Sequence, residues 1–188
     1  MKGFGEQYNS KKEFNNNSNF SKEQILNQAF KLHLEGKIPE ATKFYQYFLD
    51  KGFKDHRLFF NYGVLLNSIG KSQEADSIYR KAIAIKPDFA EAHYNLGAIL
   101  KDLGNLKEAE LSYRKAIAVK PDFAQAYYNL GIILKDLGNL KEAELYTRKA
   151  IEINPKYTEA HYNLGIILKD IGNLKEAELY TRKAIEIN

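Results

Sequence analysis

The chain has no cysteine among its 188 residues, which excludes disulfides, thiolate metal ligands and cysteine nucleophiles and leaves redox usage silent about compartment. It has no apolar run long enough to cross a bilayer, and its first 20 residues, MKGFGEQYNSKKEFNNNSNF, contain no apolar leader segment. The protein is therefore expected in the cytoplasm, with no membrane partner. A strong excess of one charge is also missing: 28 Lys+Arg stand against 24 Asp+Glu, a formal +4 with the signs interleaved. Attraction of nucleic acid would need a local patch, and none is expected. There is no Gly-rich phosphate loop, no nucleophile elbow and no carboxylate pair sharing a pocket. His33, His56, His93 and His161 lack metal-ligand spacing and are expected at the edge of the core. No metal, cofactor or catalytic residue is expected, and the chain is read as a non-enzyme.

What the sequence does contain is repetition. The 23 residues from Tyr128, YNLGIILKDLGNLKEAELYTRKA, recur from Tyr162 with only Leu137 exchanged for Ile171, 34 positions on. Self-similarity at that period starts near Lys22 and defines five units, 22–55, 56–89, 90–123, 124–157 and 158–188, after an Asn- and Ser-rich tail at 1–21 too polar to pack. Within a unit the signals describe two helices. Asp88 and Asn105 each stand three residues before a Glu and are expected as N-caps; Gly104 closes the first helix, and Pro121 stops the second after Val119. Short helix pairs cannot hide their apolar faces alone, so the expectation is an all-α, right-handed solenoid in which each unit covers the next.

These residues resemble the tetratricopeptide repeat family. Its spacing appears as His93-x2-Leu96-Gly97-x2-Leu100, then Ala109-x3-Tyr113 and Pro121, and recurs in all five units. Unit one departs from it, with Phe48 in place of Ala and no proline. Units four and five carry Thr147 and Thr181 where Tyr45, Tyr79 and Tyr113 stand, with tyrosine one place earlier at Tyr146 and Tyr180. That shift, about 100° around the helix, either repacks the core or leaves a patch with Leu145 and Leu179 for self-association.

Stepping 100° per residue along the first helix of unit three puts His93, Leu96, Gly97, Leu100 and Leu103 on one stripe, with Glu91, Tyr94, Asn95, Ala98, Lys101 and Asp102 opposite. The resemblance implies that the opposite side lines a concave groove that holds partner peptides. Its candidate binding residues are Asn61, Asn95, Asn129 and Asn163, the rings of Phe60, Tyr94, Tyr128 and Tyr162, the apolar Ile132 and Ile166, and Lys101 and Lys135. An amide once per unit offers a donor and an acceptor to an extended main chain. This ladder, with Asn27 at its start, resembles that of the tetratricopeptide superhelices of O-linked N-acetylglucosamine transferase-like proteins. Co-chaperone repeats that grip acidic carboxyl termini form a second template, but Phe60, Val64, Tyr94 and Ala98 give a carboxylate no support. The Arg80, Arg114, Arg148 and Arg182 positions on the second helices are preceded at four residues by Asp or Glu and are expected in solvated ion pairs. The chain is thus expected to be a scaffold for a protein or extended peptide. The alternatives are the targeting arm of a larger glycosyltransferase, suggested by an unfinished fifth unit, and self-assembly through its uncapped last helix.

Overall fold

The computed structural model describes residues 20–187, and among them there are ten helices and no strand. They are α1 (Lys22–Leu34), α2 (Ile38–Asp50), α3 (His56–Ser68), α4 (Ser72–Ile85), α5 (Ala90–Asp102), α6 (Leu106–Val119), α7 (Ala124–Asp136), α8 (Leu140–Ile153), α9 (Thr158–Ile171) and α10 (Leu174–Ile187). Most of the expected tail, 1–21, lies outside the described residues. Its last two residues, Phe20 and Ser21, lead directly into α1. Ser21 and Gln24 form a reciprocal capping box, and the Phe20 ring packs 6.4 Å from that of Phe44.

The turns follow backbone chemistry. Gly104 takes φ +78° at the end of α5, a conformation an L-residue adopts only with strain, and the chain re-enters a helix two residues later. The caps differ from the sequence expectation. Phe89 and Asn105, rather than Asp88 and Asn105, occupy the N-cap positions of α5 and α6, and neither makes a side-chain capping bond. The first-turn amides meet backbone partners instead, as in Ala92 N–H to Phe89 O at 3.1 Å. Neighbour packing, not capping, fixes these helix starts. Asp55 does cap α3, accepting from Arg57 N–H at 3.0 Å.

Each odd-numbered helix packs on the even-numbered helix after it and, from α3 onward, on the one before it. A large buried cluster reaches from Ile25 to Ile167, with a small satellite of Leu164 and Leu168 on α9 and Ala177 in the first turn of α10. Helical solenoid architecture follows from this two-sided burial. Inside a unit, Tyr79 and Tyr113 lie flat over Gly63 and Gly97; a Cβ on Gly97 would come within 2.9 Å of the Tyr113 ring. Phe48 fills the alanine position of unit one and packs edge-on against Phe53 at 5.3 Å, so that unit keeps a full core without its proline.

Units four and five solve the same junction differently. The Thr147 and Thr181 hydroxyls turn back to donate to Ala143 O at 2.7 Å and Ala177 O at 2.8 Å. The displaced rings move to the unit boundary, where Tyr146 OH accepts from Arg114 Nη1 at 2.7 Å and Tyr180 OH from Arg148 Nη1 at 3.0 Å. Each guanidinium also lies over the ring it bonds, at 5.1 and 5.3 Å. The substitution is absorbed by repacking, although Leu145 stays 64% exposed.

Burial pushes the Tyr79 hydroxyl up to about 12, an effect partly offset by the hydrogen bond it accepts from Asn95. The Tyr113 hydroxyl is fully buried with no partner. The two positions should therefore respond oppositely to loss of the oxygen. In urea unfolding followed by circular dichroism, Tyr79→Phe is expected to destabilise by about 1 kcal/mol, whereas Tyr113→Phe should be neutral or stabilising, because it removes an unpaired polar atom.

Candidate functional site

The face opposite the core stripe is carried by α3, α5, α7 and α9, so it repeats once per unit. Phe60, Tyr94 and Tyr128 are half-buried there because each is covered by an aromatic from the loop ahead of the next odd-numbered helix. Phe60 meets Phe89 at 4.8 Å, Tyr94 meets Phe123 at 4.9 Å and Tyr128 meets Tyr157 at 5.0 Å. Lys86 and Lys120 ride over the outer faces of Phe89 and Phe123 at 5.3 and 4.9 Å. The expected open aromatic strip is thus a row of paired rings with edges in solvent, and only Tyr162, without a following ring among the described residues, is 55% exposed. Ile132 and Ile166 are half-buried beside them. Phe89, Phe123 and Tyr157 were not among the sequence candidates, yet they recur at the same 34-residue period, directly before a first helix. That recurrence was the signal available for them.

The amides are in line but not equally free. Asn61 Nδ2 donates to Arg57 O at 2.8 Å, Asn95 Nδ2 to Tyr79 OH at 3.3 Å and Asn129 Nδ2 to Tyr94 OH at 3.0 Å. Asn163 is only 6% exposed and its buried Nδ2 has no partner. The residue 16 positions before Asn95 is Tyr79 and 16 before Asn163 is Thr147, whose hydroxyl is already given to Ala143, while Asn129 passes over Tyr113 and bonds Tyr94. Asn27, on α1, is exposed. The spacing led to the expectation that every amide offers a donor and an acceptor; the structure commits one N–H of Asn61, Asn95 and Asn129 within the array and leaves their Oδ1 atoms as unpaired acceptors.

Charge on this face is locally neutralised. Lys101 and Lys135 are half-buried, their Nζ atoms 3.9 and 3.8 Å from Asp102 and Asp136. Glu91 is held by Lys120 at 3.5 Å, and Arg57 bridges Glu23 and Asp55 at 3.2 and 2.9 Å. Three arginines of the second helices are likewise spent, each bonding a carboxylate in its own helix and one in the next unit: Arg80 to Asp76 at 2.9 Å and Glu108 at 2.8 Å, Arg114 to Glu110 at 2.8 Å and Glu142 at 2.7 Å, Arg148 to Glu144 and Glu176; Arg182 bonds Glu178 of its own helix. This is a ladder of ion pairs across unit boundaries and not a free basic rail. His93 and His161 are buried, each ring Nε2 donating to a proline carbonyl, Pro87 or Pro155, at 2.9 Å. Among the described residues no cluster of three His, Asp or Glu has metal-binding geometry, and no helix is long and apolar enough to cross a membrane.

Family models described as tetratricopeptide repeat or TPR repeat match residues 63–104, 99–138, 124–157 and 146–179. A search among curated protein sequences returned no match. Several solved structures share the fold. A crystal structure of MamA is 26% identical with a TM-score of 0.81, covering 85% of this chain and 93% of that one. MamA from Desulfovibrio magneticus RS-1, from its residue 41 to the end, is 23% identical with a TM-score of 0.81, covering 88% and 94%. YrrB is 24% identical with a TM-score of 0.80, covering 88% and 85%.

Asp55 generates a pH prediction. Burial alone would raise its carboxyl, but hydrogen bonds from the Arg57 guanidinium and amide, a contact to Lys22 and the charge of Arg57 together hold it well below the usual carboxylate range. A depressed folded-state value contributes stability above the unfolded aspartate pKa, near 3.9, and that contribution is lost as pH falls below it. Thermal melts between pH 7 and pH 2.5 should show the unmodified chain losing more stability below about pH 4 than Asp55→Asn does; parallel curves would contradict this.

Proposed function

We propose, given that this chain belongs to the tetratricopeptide-repeat family, that it is a non-catalytic protein-interaction scaffold whose repeated inner face holds an extended polypeptide. The observation that carries the reading is the periodic pairing of ring and amide. A ring pair and an Asn recur together in units two, three and four, and Asn95 and Asn129 each give one N–H to a tyrosine hydroxyl while both Oδ1 atoms remain unpaired. Such acceptors can take main-chain N–H groups from a guest without reading its side chains. The half-buried rings and Ile132 and Ile166 supply apolar contact from groups that lose little freedom on binding, because packing already fixes them. Neighbouring charges are compensated, which argues against a strongly acidic or basic guest. YrrB, described as a TPR protein with an unusual peptide-binding site, is in keeping with peptide capture by this architecture.

Selection from a random library of linear peptides, followed by calorimetric titration of the winners, tests the reading. Asn95→Ala and Asn129→Ala in one chain are expected to weaken capture by about tenfold or more while the helical circular dichroism spectrum is retained. Unchanged affinity would remove the amide ladder from the function.

A further inference from the structure

A second surface lies on the even-numbered helices, away from the inner face. On α6, Leu111 stands about 150° around the helix from the buried stripe of Ala109, Ser112, Tyr113 and Ala116. It is 63% exposed, and the same position on α8 and α10 holds Leu145 and Leu179, 64% and 49% exposed. Both α6 and α8 pack against an odd-numbered helix on either side, so their leucines are bare inside a completed stack. Units one and two put Lys43 and Ser77 at this place.

Lysines bracket each leucine one turn before and one turn after. Lys107, Lys141 and Lys175 precede it by four residues, and Lys115, Lys149 and Lys183 follow it by four. Because the units repeat in register, the outer wall carries a leucine row between two lysine rows. The carboxylates beside these rows are turned to the arginines, Glu110 and Glu142 to Arg114, Glu144 and Glu176 to Arg148. Lys107, Lys115, Lys141 and Lys175 are thereby left exposed and form no ion pair among the described residues. Lys149 pairs with Glu152 at 2.7 Å, and Lys183 lies over the Tyr180 ring at 5.4 Å.

Such rows specify their complement. A helix laid along the leucines gains one apolar contact per unit and finds ammonium groups on both flanks, as acidic e and g positions do beside a coiled-coil seam. One heptad advances a helix by about 10 Å, close to the width of a packed helix, so apolar residues seven apart fall on successive units. A second copy facing the same rows would set lysine against lysine. A flat anionic bilayer would also press on Glu152, whose side chain is 69% exposed one turn beyond Lys149.

We propose that the outer rows of α6, α8 and α10 bind an acidic amphipathic helix of a partner protein, with an apolar residue every seven positions and Asp or Glu on both flanks. The surface is separate from the inner face and does not depend on the amide row.

The probe is a fluorescein-labelled helix of three heptads with Leu at a, Ala at d and Glu at e and g, titrated with the intact chain. Saturable anisotropy that weakens with added salt is expected, and a control helix with Lys in place of Glu should not bind. Leu111→Ser, Leu145→Ser and Leu179→Ser together should lower affinity about tenfold or more, as should Lys107→Gln, Lys141→Gln and Lys175→Gln together. Ser77 and Gln73 hold these positions in unit two, so both variants should keep the melting temperature of the parent. Asn95→Ala with Asn129→Ala should leave this binding unchanged, which separates it from peptide capture on the inner face. Absence of saturable binding, equal binding of the Lys helix, or binding that survives the leucine or lysine substitutions overturns the proposal. So does co-sedimentation with phosphatidylserine vesicles, or a dimer in sedimentation velocity, that the leucine variant abolishes, since either result gives the rows to a different occupant.

Discussion

The structure depends on mutual burial between short helices. Helices of 13 or 14 residues are marginal by themselves in water, and the apolar surface on two sides of each odd-numbered helix is too large for one partner to cover. Leu130 and Ile133 on α7, with no exposed surface at all, lie in a helix shared between the units on either side. Fully burying such a side chain stabilises by roughly 1.5–3 kcal/mol, and the gain exists only when the neighbouring unit is folded. The glycine turns, the proline stops and the ion-pair ladder refine an arrangement this requirement already dictates.

Most of the architecture was legible in the sequence because the requirement leaves a periodic trace. The 34-residue recurrence, the Leu-Gly pairs and the small-residue positions each report one contact several times over. The helix starts were less legible. Asp88 looks like a cap by its spacing to Glu91, yet the helix begins at Ala90 with Phe89 before it, since that ring is needed over Phe60 and a loop aromatic outranks a surface hydrogen bond. The site was legible in its position and not in its bonding. The amide row could be read from spacing, but whether an Asn Nδ2 faces solvent or a tyrosine hydroxyl depends on distances between units, which a periodic sequence cannot encode.

The threonine exchange shows how such an array tolerates variation. Tyr113 covers Gly97 with a ring, and Thr147 covers Gly131 with a hydroxyl already satisfied within its own helix. The ring is not lost but reused one position earlier, where Tyr146 gives Arg114 a third anchor across the boundary. An intra-unit apolar contact has become an inter-unit polar one. At the place where Asn95 has the Tyr79 hydroxyl, Asn163 has Thr147.

Because units four and five differ at a single place over 23 residues, a further copy set between them would meet the same residues on either side. Excising 34 residues from this region, or inserting 34, would therefore heal into an interface the chain already contains. Reach along the inner face is in that sense a countable property, open to lengthening or shortening by recombination between like segments without any new contact having to be invented.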